Sequence, residues 1–292
     1  MKILIAVDSK AYSGYAVKEA TALAANTWAS VTLLGVEAKS GQTGRATSSG
    51  SRDIRTAINK YRKQFIDFFP KGECPYTEHN FSYEWIDTGN NVCEEFYMAK
   101  SARKPFIRRI RTGSPVKAIL AEAKETMADL IITGCDPAGG CIWTETPNTP
   151  VRLVNEAPCS VMIVKSEKKI DNIVCCLDND NVTQASLELI NQMVTIHEAR
   201  LTLVGFEDNS GGLQTGVEKR MYATLRYYQA VGIEPVVEMV DKDSFGPFVT
   251  DKRQWGLMAF WLGPQSILGK WLPKARMNRI VKESRASVLI LR

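Results

Sequence analysis

Short apolar runs alternate along the chain with segments whose apolar residues recur every three or four positions. "KILIAV" at 2–7, "SVTLLGVE" at 30–37 and "ADLIITG" at 128–134 are of the first kind. "SGYAVKEATALAANT" at 13–27 and "PVKAILAEAKETM" at 115–127 are of the second. The short runs predict buried strands, and the longer period predicts helices that pack by one face. Strands are expected over 2–7, 30–37, 106–111, 129–134 and 160–165, with helices over 13–27, 52–68, 115–127 and 150–156. Strands that are apolar on both faces and separated by helices belong to a parallel sheet covered on both sides.

Two stretches break this rhythm. "KSGQTGRATSSGSR" at 39–52 is rich in Ser, Gly and Thr and predicts a surface loop, placed to close over the strand ends or simply a connection. Residues 69–104 read as an insertion, with "EEFYMAKSA" as a short helix within it.

The pattern occurs twice. "KILIAVDSKAYSGYAVKEATALA" from residue 2 has its counterpart in "NIVCCLDNDNVTQASLELINQMV" from 172. "ASVTLLGVE" at 29 is followed in kind by "ARLTLVGFE" at 199, and "CSVMIVK" at 159 by "ASVLILR" at 286. The same elements in the same order imply two homologous domains. The charged stretch "KSEKK" at 165–169 marks the boundary, giving domains 1–167, with an insertion near 69–104, and 168–292. The expected fold class is therefore two doubly wound, parallel-sheet α/β domains in tandem. Such sheets bind ligands beyond the carboxyl ends of their strands.

Composition narrows the partners. The 292 residues carry a net charge of +5, with 45% hydrophobic and 24% charged residues. The basic residues are scattered and form no block with interleaved aromatics, which argues against a nucleic-acid surface. No apolar run approaches the ~18 residues of a membrane span, so no membrane insertion is expected. The start "MKILIAVDSK" lacks the longer apolar core of a signal peptide, and a cytoplasmic location is expected. The seven cysteines form no paired framework or zinc spacing and are expected to pack as reduced thiols. A redox role for Cys135 and Cys141 is the alternative.

The candidate chemistry sits at the predicted strand ends. Asp8 ends the first strand, where a carboxylate can accept hydrogen bonds from an adenine amine or a ribose hydroxyl. It can equally hold the following turn. Val36 stands near the end of the second strand, flanking a base or simply filling the core. "LIITGCDPAGGCIWTETPNTPVRLV" at 130–154 is laid out as strand, glycine-bearing loop and helix start, the layout of a phosphate cradle. Pro137 and Pro147 lie in that loop, and proline has no N–H to offer a phosphate.

These segments resemble the universal stress protein family. The resemblance rests on "KILIAVD", on "RTGSPVKAILAEAKETMADLIITG" and on "VNEAPCSVMIVK". Gly113, Pro115, Ile119, Ala128, Asp129, Leu130 and Gly134 match the family's middle segment, and Ala157, Pro158 and Cys159 match its last. The resemblance covers nearly all of the first domain except the insertion; the second domain joins it mainly through the repeat. It implies a Rossmann-like fold of the adenine nucleotide alpha hydrolase type. It also implies an ATP or AMP site formed by Val7, Asp8, Ser9, Val36, Gly134, Gly139, Gly140, Asn148 and Thr149.

The family's nucleotide binders carry Gly, two residues, Gly, nine residues, then Gly-Ser. Here Gly134 matches, but Pro137 takes the second glycine's place and Pro147-Asn148 that of Gly-Ser. Gly139 and Gly140 lie nearby as substitutes. Asn148 or Thr149 can cap the next helix, with Pro150 at its first position. Two lost charge-assisted hydrogen bonds would weaken ATP by roughly two to four decades. In the second domain Asp178 corresponds to Asp8 and Gly263 and Ser266 lie near the expected loop start, but the loop is about one residue shorter, and Pro273 and Ala275 stand near the final Gly-Ser.

The family resemblance also implies pairing of the two domains through their last strands, "SVMIVK" and "SVLILR", leaving a further homodimer open. No general-base constellation, catalytic triad or Walker loop is legible, and neither a catalytic nor a metal-binding set is assigned. The expected function is a non-enzymatic, stress-response regulatory module that senses an adenine nucleotide or docks a protein partner. The alternatives are a slow ATP hydrolase or nucleotide-transfer enzyme and a ligand-free scaffold.

Overall fold

A computed structural model describes residues 1–37, 48–76, 84–96, 103–136, 143, 148–176, 182–207, 215–241, 244, 247–248, 256–261 and 274–292. The chain divides into two compact units, Met1–Val164 and Lys165–Arg292.

In the first unit the apolar runs form β1 (Lys2–Val7), β2 (Ser30–Glu37), β5 (Phe106–Thr112), β6 (Leu130–Gly134) and β7 (Ser160–Val164). They pair in parallel in the order β5-β2-β1-β6-β7. The helices are α1 (Tyr12–Thr27), α2 (Ser48–Asp67), α3 (Pro115–Thr126) and α4 (Thr149–Glu156). A Cβ placed at Gly35 would meet Ile54 and Ile58 of α2, and one at Gly134 would meet Tyr12 of α1. Those two helices therefore cover one face of the sheet. On the other face Glu122 of α3 reaches Arg109 and Arg111 of β5. The central strands are buried on both faces, as a covered parallel sheet requires.

The second unit repeats the plan. Its strands β8 (Asn172–Cys176), β9 (Arg200–Glu207), β10 (Val236–Asp241), β11 (Leu257–Trp261) and β12 (Ser287–Leu291) pair in parallel in the order β10-β9-β8-β11-β12. Counting only the parallel strands of each unit, both orders read 3-2-1-4-5. Helices α5 (Gln184–His197), α6 (Thr215–Ala230) and α7 (Lys274–Glu283) complete its described elements. Each unit is thus the doubly wound, Rossmann-like α/β sheet expected from the sequence.

Three details depart from expectation. Helix α2 begins at Ser48, inside the stretch 39–52 expected to be loop. Packing of Ile54 and Ile58 against Gly35 carries the helix back through a Ser/Gly run that propensity alone would leave irregular. Residues 38–47 lie outside the described residues.

The insertion holds a β-hairpin, β3 (Glu84–Gly89) and β4 (Val92–Phe96), which extends the sheet antiparallel beyond β5. Residues 94–96 are therefore strand, not the start of a helix. The turn explains it, because Gly89, Asn90 and Asn91 all have positive φ (85°, 54° and 61°), a conformation that Gly and Asn tolerate and that turns a tight hairpin. Cross-strand charge pairing holds β4 in place. Arg109 of β5 reaches Glu94 of β4 at 2.7 Å, and Arg108 forms an ion pair with Glu95 in which both side chains are buried.

The third departure is Cys135, expected as a reduced thiol. It lies just after β6, where the chain leaves the sheet, and its sulfur is disulfide-bonded. Cys74, Cys93, Cys159, Cys175 and Cys176 are free. Cys175 and Cys176 are fully buried in β8, and burial pushes both thiols up.

Candidate functional site

The first unit changes direction between β1 and β6. From β1 the chain builds outward through β2 and β5 on one side; β6 and β7 lie on the other. In a doubly wound sheet this reversal opens a crevice at the carboxyl ends of the strands. The register brings the candidate residues to it. Val7 pairs with Gly35, so Asp8 and Val36 stand one step further at the same level, and Gly134 follows Thr133, the partner of Ala6.

Asp8 is buried, and its carboxylate is engaged by the turn that follows it. Oδ1 accepts from the Lys10 N–H at 2.9 Å and from the Ser13 hydroxyl at 2.8 Å. The same hydroxyl accepts from the Asp8 N–H at 3.0 Å. Oδ2 accepts a short hydrogen bond from the Tyr12 phenol. Helix α2 grips the turn from outside. The Tyr61 hydroxyl donates to the Lys10 carbonyl at 2.6 Å, and the Gln64 amide donates to the Gly14 carbonyl at 2.9 Å. Burial, reinforced by the Asp8 charge, pushes the Tyr61 phenol up to about 12. Tyr61 is therefore a neutral donor at physiological pH.

Gly134 is required here by close approach. A Cβ on it would stand 2.1 Å from the Tyr12 carbonyl oxygen and 3.0 Å from the Tyr12 ring. The first turn of α1 thus rests directly on the end of β6. Val7 is buried in β1, and Ser9 is exposed at the surface of the turn. Val36 is buried on the face opposite Gly35, beside Arg111 of β5. The Arg111 Nε donates to Glu122 at 2.6 Å, and Arg111 also pairs with Glu125.

Beyond β6 the described residues are few. Gly139 and Gly140, with Pro137, Cys141 and Pro147, lie outside them, as does Asp178 of the second unit. Trp143 is fully buried, and its indole N–H has no partner among the described residues. Asn148 is the N-cap of α4, with Pro150 in the first turn as expected, but its side chain makes no capping bond. Its backbone is left-handed, with φ of 65°, not the extended conformation of a capping residue, and one that Asn tolerates better than most residues. Thr149 is fully buried as the first residue of α4.

Among the described residues no cluster of His, Cys, Asp and Glu could hold a metal ion. No described helix is long and apolar enough to cross a membrane.

A model of the universal stress protein family matches residues 1–165. The chain belongs to the universal stress protein family. No curated protein matches it by sequence. Its fold is similar to that of a solved universal stress protein from Archaeoglobus fulgidus, with a TM-score of 0.63 at 10% identity, over 100% of this chain and 98% of that one. It is also similar to a functionally unknown protein from Pseudomonas aeruginosa, with a TM-score of 0.56 at 17% identity, over 99% of this chain and 92% of that one. At these identities the likeness is one of fold.

In this universal stress protein the register gathers Val7, Asp8, Val36 and Gly134 at the strand ends. Sequence reasoning missed Tyr12, which binds the Asp8 carboxylate, and Ser13, Tyr61 and Gln64, which hold the turn that follows it. A signal was available for Ser13, a small hydroxyl five residues after Asp8 on the inward face of a helix that is otherwise apolar there.

Proposed function

We propose that the chain is a non-enzymatic regulatory module whose first unit takes an adenine nucleotide, ATP or AMP, at the strand-end crevice. One observation carries this reading: the buried carboxylate of Asp8 stands at the reversal point of the sheet, level with Val36 and beside Gly134. A carboxylate there accepts from an amine or a hydroxyl and so suits a nucleoside. Phosphates would fall toward the start of α4, where Asn148 and Thr149 lie and the helix dipole favours an anion. Among the described residues around Asp8 no base, nucleophile and orienting group come together, and the reading is therefore one of binding.

The second unit is a degenerate copy in this reading. Trp261 ends β11 as Gly134 ends β6, and it is fully buried, a bulky ring where the first unit has a glycine. The module is proposed to act in the cytoplasm and to pass its state to a protein partner.

A second reading is a ligand-free scaffold. Its support is that both oxygens of Asp8 already accept hydrogen bonds from the protein. The test is direct. The full chain is purified without added nucleotide and denatured, and the released small molecules are chromatographed. The emptied protein is then titrated with ATP, AMP and adenosine, with Asp8→Ala as control. About one nucleotide per chain, or saturable binding lost in Asp8→Ala, supports the first reading. A folded protein that releases and binds none leaves the scaffold.

A further inference from the structure

Tyr12 occupies the place where a ligand would meet Asp8. Its phenol donates to Oδ2, and its ring lies over Gly134. The other carboxylate oxygen is consumed by the local turn through Lys10 and Ser13. Oδ2 is therefore the oxygen a ligand donor would reach, and Tyr12 already holds it. The side chain is buried.

From this we propose that Tyr12 is the gate of the crevice, a built-in competitor that an adenine nucleotide must displace to reach Asp8. The proposal rests on the nucleotide reading of the first unit and adds the residue that sets its affinity. Two features suit Tyr12 to the role. First, it is not needed to hold the turn: the Tyr61 hydroxyl and the Gln64 amide grip the Lys10 and Gly14 carbonyls from α2, and Ser13 ties Asp8 to the helix. The phenol can leave while the turn keeps its shape. Second, Tyr12 is the first residue of α1. The turn before it, Ser9 to Ala11, is exposed, so rotation about χ1 toward that side carries the ring from the strand ends to solvent.

The displacement has a definite exchange of bonds. The phenol gives up one charge-assisted hydrogen bond to Asp8 and finds water, and the ligand's amine or hydroxyl donates to the vacated oxygen. A bond to a charged acceptor is worth enough that its removal shifts binding by about tenfold or more. Tyr12→Phe deletes that bond and keeps the ring, whereas Tyr12→Leu deletes the bond and most of the obstruction.

The experiment is calorimetric titration of the full chain, emptied of nucleotide, with ATP, AMP and adenosine. Wild type, Tyr12→Phe and Tyr12→Leu are compared, with circular dichroism and urea unfolding to establish that each is folded. The expected result is binding about tenfold or more tighter in Tyr12→Phe than in wild type, with a further gain in Tyr12→Leu. The gain should vanish when Asp8→Ala is added. Equal or weaker binding in Tyr12→Phe, with wild type binding measurably, overturns the gate and leaves the nucleotide site standing. No binding by any of the three folded proteins overturns both.

Discussion

Gly134 lies beneath the backbone of Tyr12: a Cβ at this position would stand 2.1 Å from the Tyr12 carbonyl oxygen. The glycine that ends β6 is thus fixed first by packing of the chain on itself. Gly134→Ala must push α1 off the sheet or distort the strand end. It is expected to destabilise the protein by about 1–3 kcal/mol, the range for overpacking. Urea unfolding measures this directly. An alanine variant as stable as wild type would mean that α1 does not rest on β6 as described.

The ion pair of Arg108 and Glu95 joins the insertion to the sheet with both side chains buried, 2% and 4% exposed. Removing one partner leaves the other charged and desolvated, whereas removing both leaves an apolar contact. Glu95→Leu alone is expected to cost about 3–5 kcal/mol, and Arg108→Met with Glu95→Leu markedly less than that. The two unfolding curves decide the matter. If the double variant loses as much as the single, the pair is not a closed unit.

The main strands were legible in the sequence because each is an apolar run of strand length with turn residues at both ends. β1 and β2 occur over the ranges the pattern predicts, and α3, β6, α4 and β7 lie within a residue of them. The hairpin was not legible by that rule. "EWIDTG" and "VCEEF" mix polar with apolar residues, because β3 is largely exposed and the charges of β4 meet arginines that only the fold brings near. The turn Gly89-Asn90-Asn91 was the available signal. At the candidate site the sequence located Asp8 and Gly134 but not the reason they stand close together. A tyrosine opening a helix reads as core, and nothing local in the sequence says that its hydroxyl folds back four residues to a carboxylate.

Lys165, the first residue of the second unit, is 3% exposed, and its ammonium donates to the Ser284 carbonyl at 2.6 Å. Ser284 directly follows α7, and the helix end favours the charge, but burial outweighs it and pulls the amine down to about 7. In an unfolded chain a lysine titrates near ~10.4. Between those values the unfolded state holds a proton that the native state does not, so stability rises with pH across that window. The slope reaches about 1.4 kcal/mol per pH unit at most. Below pH ~7 both states are protonated and the slope from this group disappears. Lys165→Met should remove the slope. Urea unfolding at pH 6, 8 and 9.5 is expected to show the variant gaining on wild type as pH falls. Parallel curves for the two proteins would mean that the lysine keeps its charge in the fold.

Trp261 ends β11 in the second unit as Gly134 ends β6 in the first, and the two residues make opposite demands. Gly134 is small because a helix start rests on it; Trp261 fills its surroundings, is fully buried and has an indole N–H without a partner among the described residues. A buried donor left unmade costs about 1–3 kcal/mol, and replacing the indole by a smaller apolar ring leaves a cavity of comparable cost. The two effects oppose each other, so Trp261→Phe is expected to change stability by less than about 1.5 kcal/mol. Trp261→Ala gains the same relief but opens the full cavity, and is expected to lose about 3–5 kcal/mol. Neither substitution supplies a carboxylate or an amide for a nucleotide, so the number of nucleotides bound per chain should not rise. Calorimetric stoichiometry and urea unfolding on the same two variants test both halves. A second nucleotide site in folded Trp261→Ala would show that the indole alone had closed it, and that the second unit is an obstructed copy and not a degenerate one.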